Sequence, residues 1–135
     1  MDIKLKEVST AALAYLGDSV MELCVRKMLV EKGFSSSKKL NAKALEYVTA
    51  KAQAQAAAKI LPLLTEEEDA VYHRGRNISH ANVPKSASYA EYRMATGLET
   101  LFGYLHLAGK LERIDQLFST AYNEETEVNG GKENE

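Results

Sequence analysis

Apolar residues recur at steps of three and four along most of the chain, which is the spacing of an amphipathic helix rather than of a strand. The first such segment begins at two residues that can cap a helix, Ser9 and Thr10, and ends at Gly33. The stretch 35–62 begins with serines, continues through alanine-rich helix formers and ends at a proline. A break near residues 48 and 49 divides this stretch into two predicted helices.

Three more helices are predicted in the second half of the chain. Thr65 precedes an acidic first turn, and basic residues close that segment, as the dipole of a short helix favours. Residues 77–88 contain Asn, Ser and Pro84 with little periodicity, which predicts an exposed loop. A long apolar helix resumes at Tyr89, and a last one follows Gly109. Strand alternation and internal repeats are not visible in the sequence, so the predicted fold class is all-α with six or seven helices.

The bulk composition fits one domain of 135 residues, since 45% apolar residues suffice for one helical core. Residues 1–122 are predicted to form this domain, and 123–135 an acidic tail without fixed structure. An apolar run of membrane-spanning length and an export signal are both missing from the sequence. We therefore expect a cytoplasmic protein with no membrane contact, and we interpret Cys24 as a core residue.

Charge is distributed unevenly. The formal net charge is −2, but the tail carries five acids and one lysine, which leaves a positive balance on residues 1–122. Between positions 73 and 93 four cations face a single acid, Glu91. These cations are Arg74, Arg76, Lys85 and Arg93. They can meet phosphates, although solvated surface charge explains them equally well.

Two acids stand within apolar helical segments, Asp18 and Glu99. A buried carboxylate without a partner costs several kcal/mol, and no Lys or Arg lies within one turn of either acid. Each acid can point to solvent, pair with a cation from another helix, or share a divalent cation with the other. Gly17 beside Asp18 indicates either close helix approach or a tolerated cost of about 1 kcal/mol relative to alanine. Spacing alone does not decide between these alternatives.

Two motifs resemble those of the ribonuclease III family. YLGDSVMEL at 15–23 resembles the signature helix of the catalytic domain and places the signature aspartate at Asp18. ATGLETLFGYLHL at 95–107 resembles the motif that carries the family's essential glutamate, here Glu99. The finer likeness is to the Mini-ribonuclease III branch, which lacks a double-stranded-RNA-binding domain. Its marks are LAYLGD at 13–18, RGRN at 74–77, VPK at 83–85, and a Tyr-Arg pair that begins at Tyr92.

The resemblance implies the helical fold of the ribonuclease III endonuclease domain and hydrolysis of phosphodiester bonds in double-stranded RNA by a homodimer. It makes Asp18 and Glu99 the catalytic residues and the ligands of Mg²⁺, with Mn²⁺ as a possible substitute. Longer members of the family carry acids where this chain has Ala11, Ala14 and Thr96, and the small branch shows the same loss. Thr96 is a candidate for an outer-shell contact through its hydroxyl. The resemblance also favours close helix approach at Gly17.

The same resemblance implies a cellular substrate, the precursor of large-subunit (23S) ribosomal RNA, presented by a ribosomal protein. Four residues are candidates for contact with RNA phosphates or riboses: Arg74, Arg76, Asn77 and Lys85. The structural alternatives are that Arg74 caps helix carbonyls and that Asn77 shapes a turn. Two other functions stay open, a catalytically silent dimeric helical module that binds structured RNA or ribosomal assemblies, and a purely structural helical adaptor.

Overall fold

The computed structural model describes residues 4–78 and 88–122. In these ranges the chain forms six α-helices, two short 3₁₀ turns (Leu5–Glu7 and Leu61–Leu63) and no strand, which confirms the all-α prediction. The helices are α1 (Thr10–Glu31), α2 (Ser37–Val48), α3 (Ala50–Ile60), α4 (Glu66–Arg76), α5 (Tyr89–Leu107) and α6 (Leu111–Tyr122). The predicted loop 77–88 and the acidic tail fall largely or wholly outside the described residues, as does Lys85.

Side-chain caps start the helices where the sequence predicts them. Ser9 accepts a hydrogen bond from the Ala12 backbone N–H at 3.0 Å, and α1 begins at the next residue. Thr49 ends α2 and caps α3, so the predicted break lies at this residue. Thr65 and Glu68 form a reciprocal capping box at the start of α4. These local signals explain why the helix boundaries follow the sequence closely.

Helix α5 lies at the centre of the bundle and packs against α1, α3, α4 and α6. Its side chains Leu98, Leu101, Phe102 and Leu105 are wholly buried. Because α5 is covered on several sides, most of its apolar positions face a neighbouring helix. The polar side chain of Thr100 is accordingly buried within the bundle.

The backbones of α1 and α5 touch where they cross. A Cβ atom at Gly17 would overlap the carbonyl oxygen of Glu99, and one at Gly103 would overlap the carbonyl oxygen of Leu13. A glycine on each helix therefore permits the approach, as the resemblance favoured for Gly17. This crossing places Asp18, the residue after Gly17, directly beside Glu99.

An ion pair joins α6 to α4. Arg113 donates to both carboxylate oxygens of Glu68 at 2.8 Å and to the Leu63 carbonyl at 2.9 Å. Glu68 is buried, and its hydrogen bonds with Arg113 hold the pKa of its carboxyl below the usual range. The pair fixes the last helix against the capping box that starts α4.

One core assignment needs correction. Cys24 is half-buried and packs against the edge of the core, beside a groove between α1 and α6. Its neighbour Leu23 is 63% exposed, so the apolar face of α1 is narrower here than the three- and four-residue steps predict. Burial, with a smaller effect from Asp115, raises the pKa of the Cys24 thiol to about 11, so it stays protonated at neutral pH.

Within 4–78 and 88–122, no helix combines the length and the apolar character that crossing a lipid bilayer requires.

Candidate active site

A shallow depression of about 300 Å³ lies where α1 crosses α5, next to the end of α4. Both candidate acids line it, and it opens to solvent. The lining residues are Ala11, Ala14, Tyr15, Asp18, Ile78, Tyr92, Thr96 and Glu99. The structure thus brings together two acids that are far apart in the sequence.

The carboxyl groups of Asp18 and Glu99 lie within hydrogen-bonding reach of each other. Asp18 is exposed, whereas Glu99 is half-buried between helices. Burial first, and the adjacent Asp18 second, raise the pKa of Glu99 to about 8. Glu99 therefore keeps its proton at neutral pH unless a cation compensates the two negative charges.

A third polar side chain is buried on α3. Gln53 is 5% exposed, and the helix that carries it packs on α5, which carries Glu99. Its amide partly opposes the rise that burial causes in the pKa of Glu99. The sequence analysis missed Gln53, because it stands among alanines in a helix that carries no motif of its own. Only the packing of α3 on α5 reveals that it is buried.

Thr96, Ala11 and Ala14 are the positions at which the sequence resemblance implies acids in longer relatives, and all three line the depression. The Thr96 hydroxyl donates to the Tyr92 carbonyl of its own helix at 3.0 Å. Ala11 and Ala14 line the same depression from α1, on the same face of that helix. All three side chains therefore line the depression beside Asp18 and Glu99. They contribute methyl groups and a hydroxyl there instead of carboxylates.

The donor set fits a divalent ion held by few protein ligands. In the part of the chain that the structure describes, no group of three or more His, Cys, Asp or Glu side chains is placed to bind a metal. Asp18 and Glu99 supply two carboxylates in contact, at a site open to solvent. Mg²⁺ is commonly bound by one or two carboxylates, with water and substrate phosphates as its other ligands.

Arg74 makes a structural contact. Its guanidinium donates to the Thr10 hydroxyl at 2.9 Å and reaches the Val8 carbonyl at 3.5 Å. The arginine thus ties α4 to the segment that leads into α1, and the Val8 carbonyl that it reaches belongs to the residue that ends the turn Leu5–Glu7. The side chain is nevertheless exposed, so it remains accessible to a ligand.

The end of α4 is held by an arginine that the sequence analysis did not single out as a site residue. Arg93 of α5 donates to the Arg76 carbonyl and to the Asn77 side-chain oxygen, both at 2.8 Å. Arg76 donates to the same Asn77 oxygen at 3.1 Å. Asn77 is the C-cap residue of α4, as its turn-shaping alternative predicts, and the next residue, Ile78, borders the depression. Two cationic groups are therefore held at the end of α4, one residue before Ile78 enters the lining of the depression.

Comparison with known proteins identifies the group to which this architecture belongs. A family model described as the Ribonuclease III domain matches residues 11–110, a range that contains both acids and Gln53. The chain belongs to the ribonuclease III family. It is 47% identical over 109 residues to the Mini-ribonuclease 3 of Symbiobacterium thermophilum, a match that covers 81% of this chain and 84% of the relative. It is 42% identical over 114 residues to that of Streptococcus pneumoniae, covering 83% and 89%.

A solved structure supports the same assignment. The X-ray structure of a Fusobacterium nucleatum protein superposes with a TM-score of 0.80 at 31% identity, and the match covers 90% of this chain and 99% of that one. The fold is therefore the helical fold of the ribonuclease III family. Members of this family act on double-stranded RNA and depend on a divalent metal ion. This protein is accordingly an endoribonuclease, a phosphodiester hydrolase.

Proposed function

We propose that this endoribonuclease cleaves double-stranded RNA at the depression where Asp18 and Glu99 meet, with Mg²⁺ held by these two carboxylates. Mn²⁺ is a possible substitute, since it accepts the same oxygen ligands. The observation that carries the proposal is the contact between the two carboxyl groups, at a solvent-open site of a ribonuclease III fold. Two adjacent carboxylates are unfavourable without a cation, so the site is suited to binding one.

The residues of the depression have different proposed roles in metal binding. A divalent ion bound here would act as a Lewis acid, making water nucleophilic at neutral pH and neutralising charge on the leaving oxygen. Asp18 is exposed and free to adjust to a ligand, whereas Glu99 is fixed more firmly by half-burial. Burial and Asp18 raise the pKa of Glu99, and the positive charge of a cation bound here would oppose that rise and favour the ionised carboxylate. Thr96 lines the same site and is proposed as an outer-shell contact.

Contacts to RNA are proposed for Arg74, Arg76, Asn77 and Lys85. Double-stranded RNA is recognised largely through its phosphates and 2′-hydroxyl groups, which cationic and amide side chains bind. Arg76 and Asn77 precede Ile78 at the rim of the depression, which supports a role next to the scissile strand. Arg74 has a structural contact with Thr10 in addition, so its substitution affects α1 as well.

The biological setting proposed here comes from the family resemblance. A homodimer would cut one strand with each subunit, in the cytoplasm. The proposed substrate is the precursor of large-subunit (23S) ribosomal RNA, with a ribosomal protein bound to it. Tyr15, which lines the depression, is 85% exposed, and an aromatic side chain exposed in this way supports an association between chains through this region.

Cleavage of a radiolabelled RNA duplex in the presence of Mg²⁺ tests the proposed function. We expect Asp18→Asn and Glu99→Gln each to lower the cleavage rate by about 100-fold or more. The reason is that metal-ion catalysis is worth several kcal/mol, and each 1.4 kcal/mol or so is a factor of ten in rate. Chelation of the metal with EDTA should abolish cleavage by the wild-type protein.

The matched control is Glu31→Gln, which removes an exposed carboxylate from the far end of α1 and should cleave at the wild-type rate. A mobility-shift assay should find that the Asp18 and Glu99 variants still bind the duplex, and that Arg76→Ala binds it less tightly. A wild-type protein that does not cut, or variants that cut as fast as wild type, would contradict the proposal.

A further inference from the structure

Two arginines hold the Asn77 side chain at the end of α4, and both bind the same atom. The amide oxygen Oδ1 of Asn77 accepts one hydrogen bond from Arg93 Nη2 at 2.8 Å and another from Arg76 Nη1 at 3.1 Å. Arg93 also donates through Nε to the Arg76 carbonyl at 2.8 Å, so its guanidinium group joins the last residue of α4 to the C-cap. Two positive groups therefore share a single neutral acceptor.

This arrangement decides which way the Asn77 amide faces. A guanidinium group has only donors, whereas an amide has an oxygen that accepts and an NH₂ group that donates. The atom between the two arginines is therefore the oxygen, because an NH₂ group in its place would meet donors alone. The NH₂ group points away from both guanidinium groups, on a side chain that is exposed.

Stability alone does not favour a neutral amide at this position. In the part of the chain that the structure describes, neither Arg76 nor Arg93 forms an ion pair. Glu91, the acid nearest to Arg93 in the sequence, completes the capping box of α5 instead, and residues 79–87 contain no Asp or Glu. An aspartate at position 77 would pair with both arginines, which outweighs the unfavourable end of the helix dipole. Asparagine differs from that aspartate in having the NH₂ group.

The end of α4 borders the depression that contains the two acids. Ile78, the residue after Asn77, lines this depression, as do Tyr92 and Thr96 of the helix that carries Arg93. An RNA strand bound in the depression presents the phosphate and 2′-hydroxyl oxygens of its backbone. Such oxygens accept hydrogen bonds, so an outward NH₂ group at this border suits them.

We propose that Arg93 is a positioning residue, which together with Arg76 turns the Asn77 NH₂ group outward as a donor to a backbone oxygen of the RNA. The proposal rests on the proposed function and deepens it, since it gives the contact of Asn77 a stated atom and a stated kind of partner. Arg93 acts through Asn77 and does not bind the RNA itself.

Binding of an RNA duplex by Asn77→Asp separates this role from a purely structural one. Aspartate keeps an oxygen between the two arginines and replaces the NH₂ group with a second oxygen. We expect a melting temperature at least equal to that of wild type, but about 10- to 100-fold weaker binding of the duplex, measured in EDTA to prevent cleavage. The matched control is Asn41→Asp, which makes the same exchange at an exposed position of α2 and should bind the duplex like wild type.

Two more variants test the donor and the route by which Arg93 acts. Asn77→Ala removes the NH₂ group without adding a charge, and we expect about 10-fold weaker duplex binding. Arg93→Lys keeps the positive charge but loses the planar fork that reaches two acceptors, so binding should weaken by about 3- to 10-fold. In the Asn77→Ala background the same exchange should have no further effect, because its target is gone. Equal losses in both backgrounds would show that Arg93 acts independently of Asn77 and would overturn the proposal.

The remaining outcomes distinguish this proposal from the proposed function. An Asn77→Asp or Asn77→Ala protein that binds the duplex as tightly as wild type would overturn the role of the NH₂ group. A melting temperature of Asn77→Asp below that of wild type would contradict the oxygen shared by the two arginines. If wild-type protein neither binds nor cuts the duplex, the proposed function fails and this role with it. If wild type cuts the duplex and Asn77→Asp binds it equally well, only the role of Asn77 and Arg93 fails.

Discussion

The fold favours the protonated form of Glu99, because this side chain is half-buried and faces Asp18. Its pKa of about 8 lies above the ordinary carboxyl value of 4.5. The folded state therefore holds this proton more tightly than the unfolded state does. Without metal, the stability that depends on the proton is complete below about pH 4.5 and is lost as the pH rises to about 8.

From this we predict a pH-dependent gain of stability in Glu99→Gln. The amide does not ionise, so in EDTA the variant should exceed wild type in unfolding free energy by roughly 1–3 kcal/mol near pH 8, the scale for relieving an unfavourable buried group. Near pH 5 the two proteins should be equally stable. Urea denaturation followed by circular dichroism measures both values.

Glu31→Gln serves as the control for this prediction and should show no such dependence, since Glu31 is exposed. Mg²⁺ should stabilise wild type but not Glu99→Gln. The difference in unfolding free energy between the two proteins should therefore become smaller when Mg²⁺ is added. Parallel stability curves for wild type and Glu99→Gln between about pH 5 and pH 8 would contradict the assignment of the raised pKa.

Some residues of the candidate site can be identified from the sequence, whereas others become apparent only in the structure. Asp18 and Glu99 stand out in the sequence because each is a carboxylate within an apolar helical pattern. Gln53 does not stand out, because a glutamine in an alanine-rich helix is ordinary and its burial depends on how α3 packs. Arg93 was visible as one charge among several, but its contact with Asn77 depends on how α4 ends beside α5. Local spacing identifies unusual residues, whereas their partners require the tertiary fold.

The crossing of α1 and α5 sets the distance between the two acids. Gly17 touches the carbonyl oxygen of Glu99, so a side chain at position 17 must push the helices apart. We predict that Gly17→Ala destabilises the protein by about 1–3 kcal/mol or more, the usual cost of overpacking. The same displacement moves Glu99 away from Asp18, so Mn²⁺ affinity should fall too. Urea denaturation and calorimetry give the two quantities.

Ser19→Ala on the same helix is the matched control for Gly17→Ala. Ser19 is exposed, and alanine has the higher helix propensity, so this variant should be as stable as wild type or slightly more so. A Gly17→Ala protein with wild-type stability and Mn²⁺ affinity would show that the contact between α1 and α5 does not constrain the site.

The helices themselves were predictable, since their ends are marked by local chemistry. Ser9, Thr49 and Thr65 each accept a backbone hydrogen bond at the start of a helix, and the sequence analysis placed boundaries at these residues. The central position of α5 was not predicted, because it depends on which apolar faces meet. Amphipathic periodicity indicates that a face is buried and does not identify its partner.

On the scale of the whole molecule, the pair Glu68–Arg113 closes the bundle by joining its last helix to α4. The hydrogen bonds from Arg113 lower the pKa of Glu68, so the folded state holds a proton on it less tightly than the unfolded state. This contribution to stability is present above the ordinary carboxyl value of 4.5 and is lost as the pH falls through the lowered pKa.

We predict that Glu68→Gln destabilises the protein at neutral pH by about 2–4 kcal/mol, because Arg113 keeps its charge and loses its buried partner. Near pH 3 the difference from wild type should be much smaller. Glu66→Gln, an exposed acid of the same helical turn, is the control and should cost less than about 1 kcal/mol. Guanidinium denaturation at the two pH values provides the test, and an equal loss at both would contradict the ion-pair account.

Glu68 and Glu99 impose opposite pH dependences on the same fold. The first stabilises the molecule as the pH rises from the acid range, and the second destabilises it as the pH approaches about 8. Metal-free protein should therefore be most stable in mildly acidic solution.

Different residues set two properties of the depression, the distance between its two helices and the charge of its wall. Gly17 and Gly103 determine how closely the helices cross, whereas Ala11, Ala14 and Thr96 leave the wall of the depression beside Asp18 and Glu99 without further charge. Carboxylates can thus be gained or lost at the last three positions without altering the contact that supports the fold. Single substitutions at these three positions would therefore change the charge of the site on an unchanged helical framework.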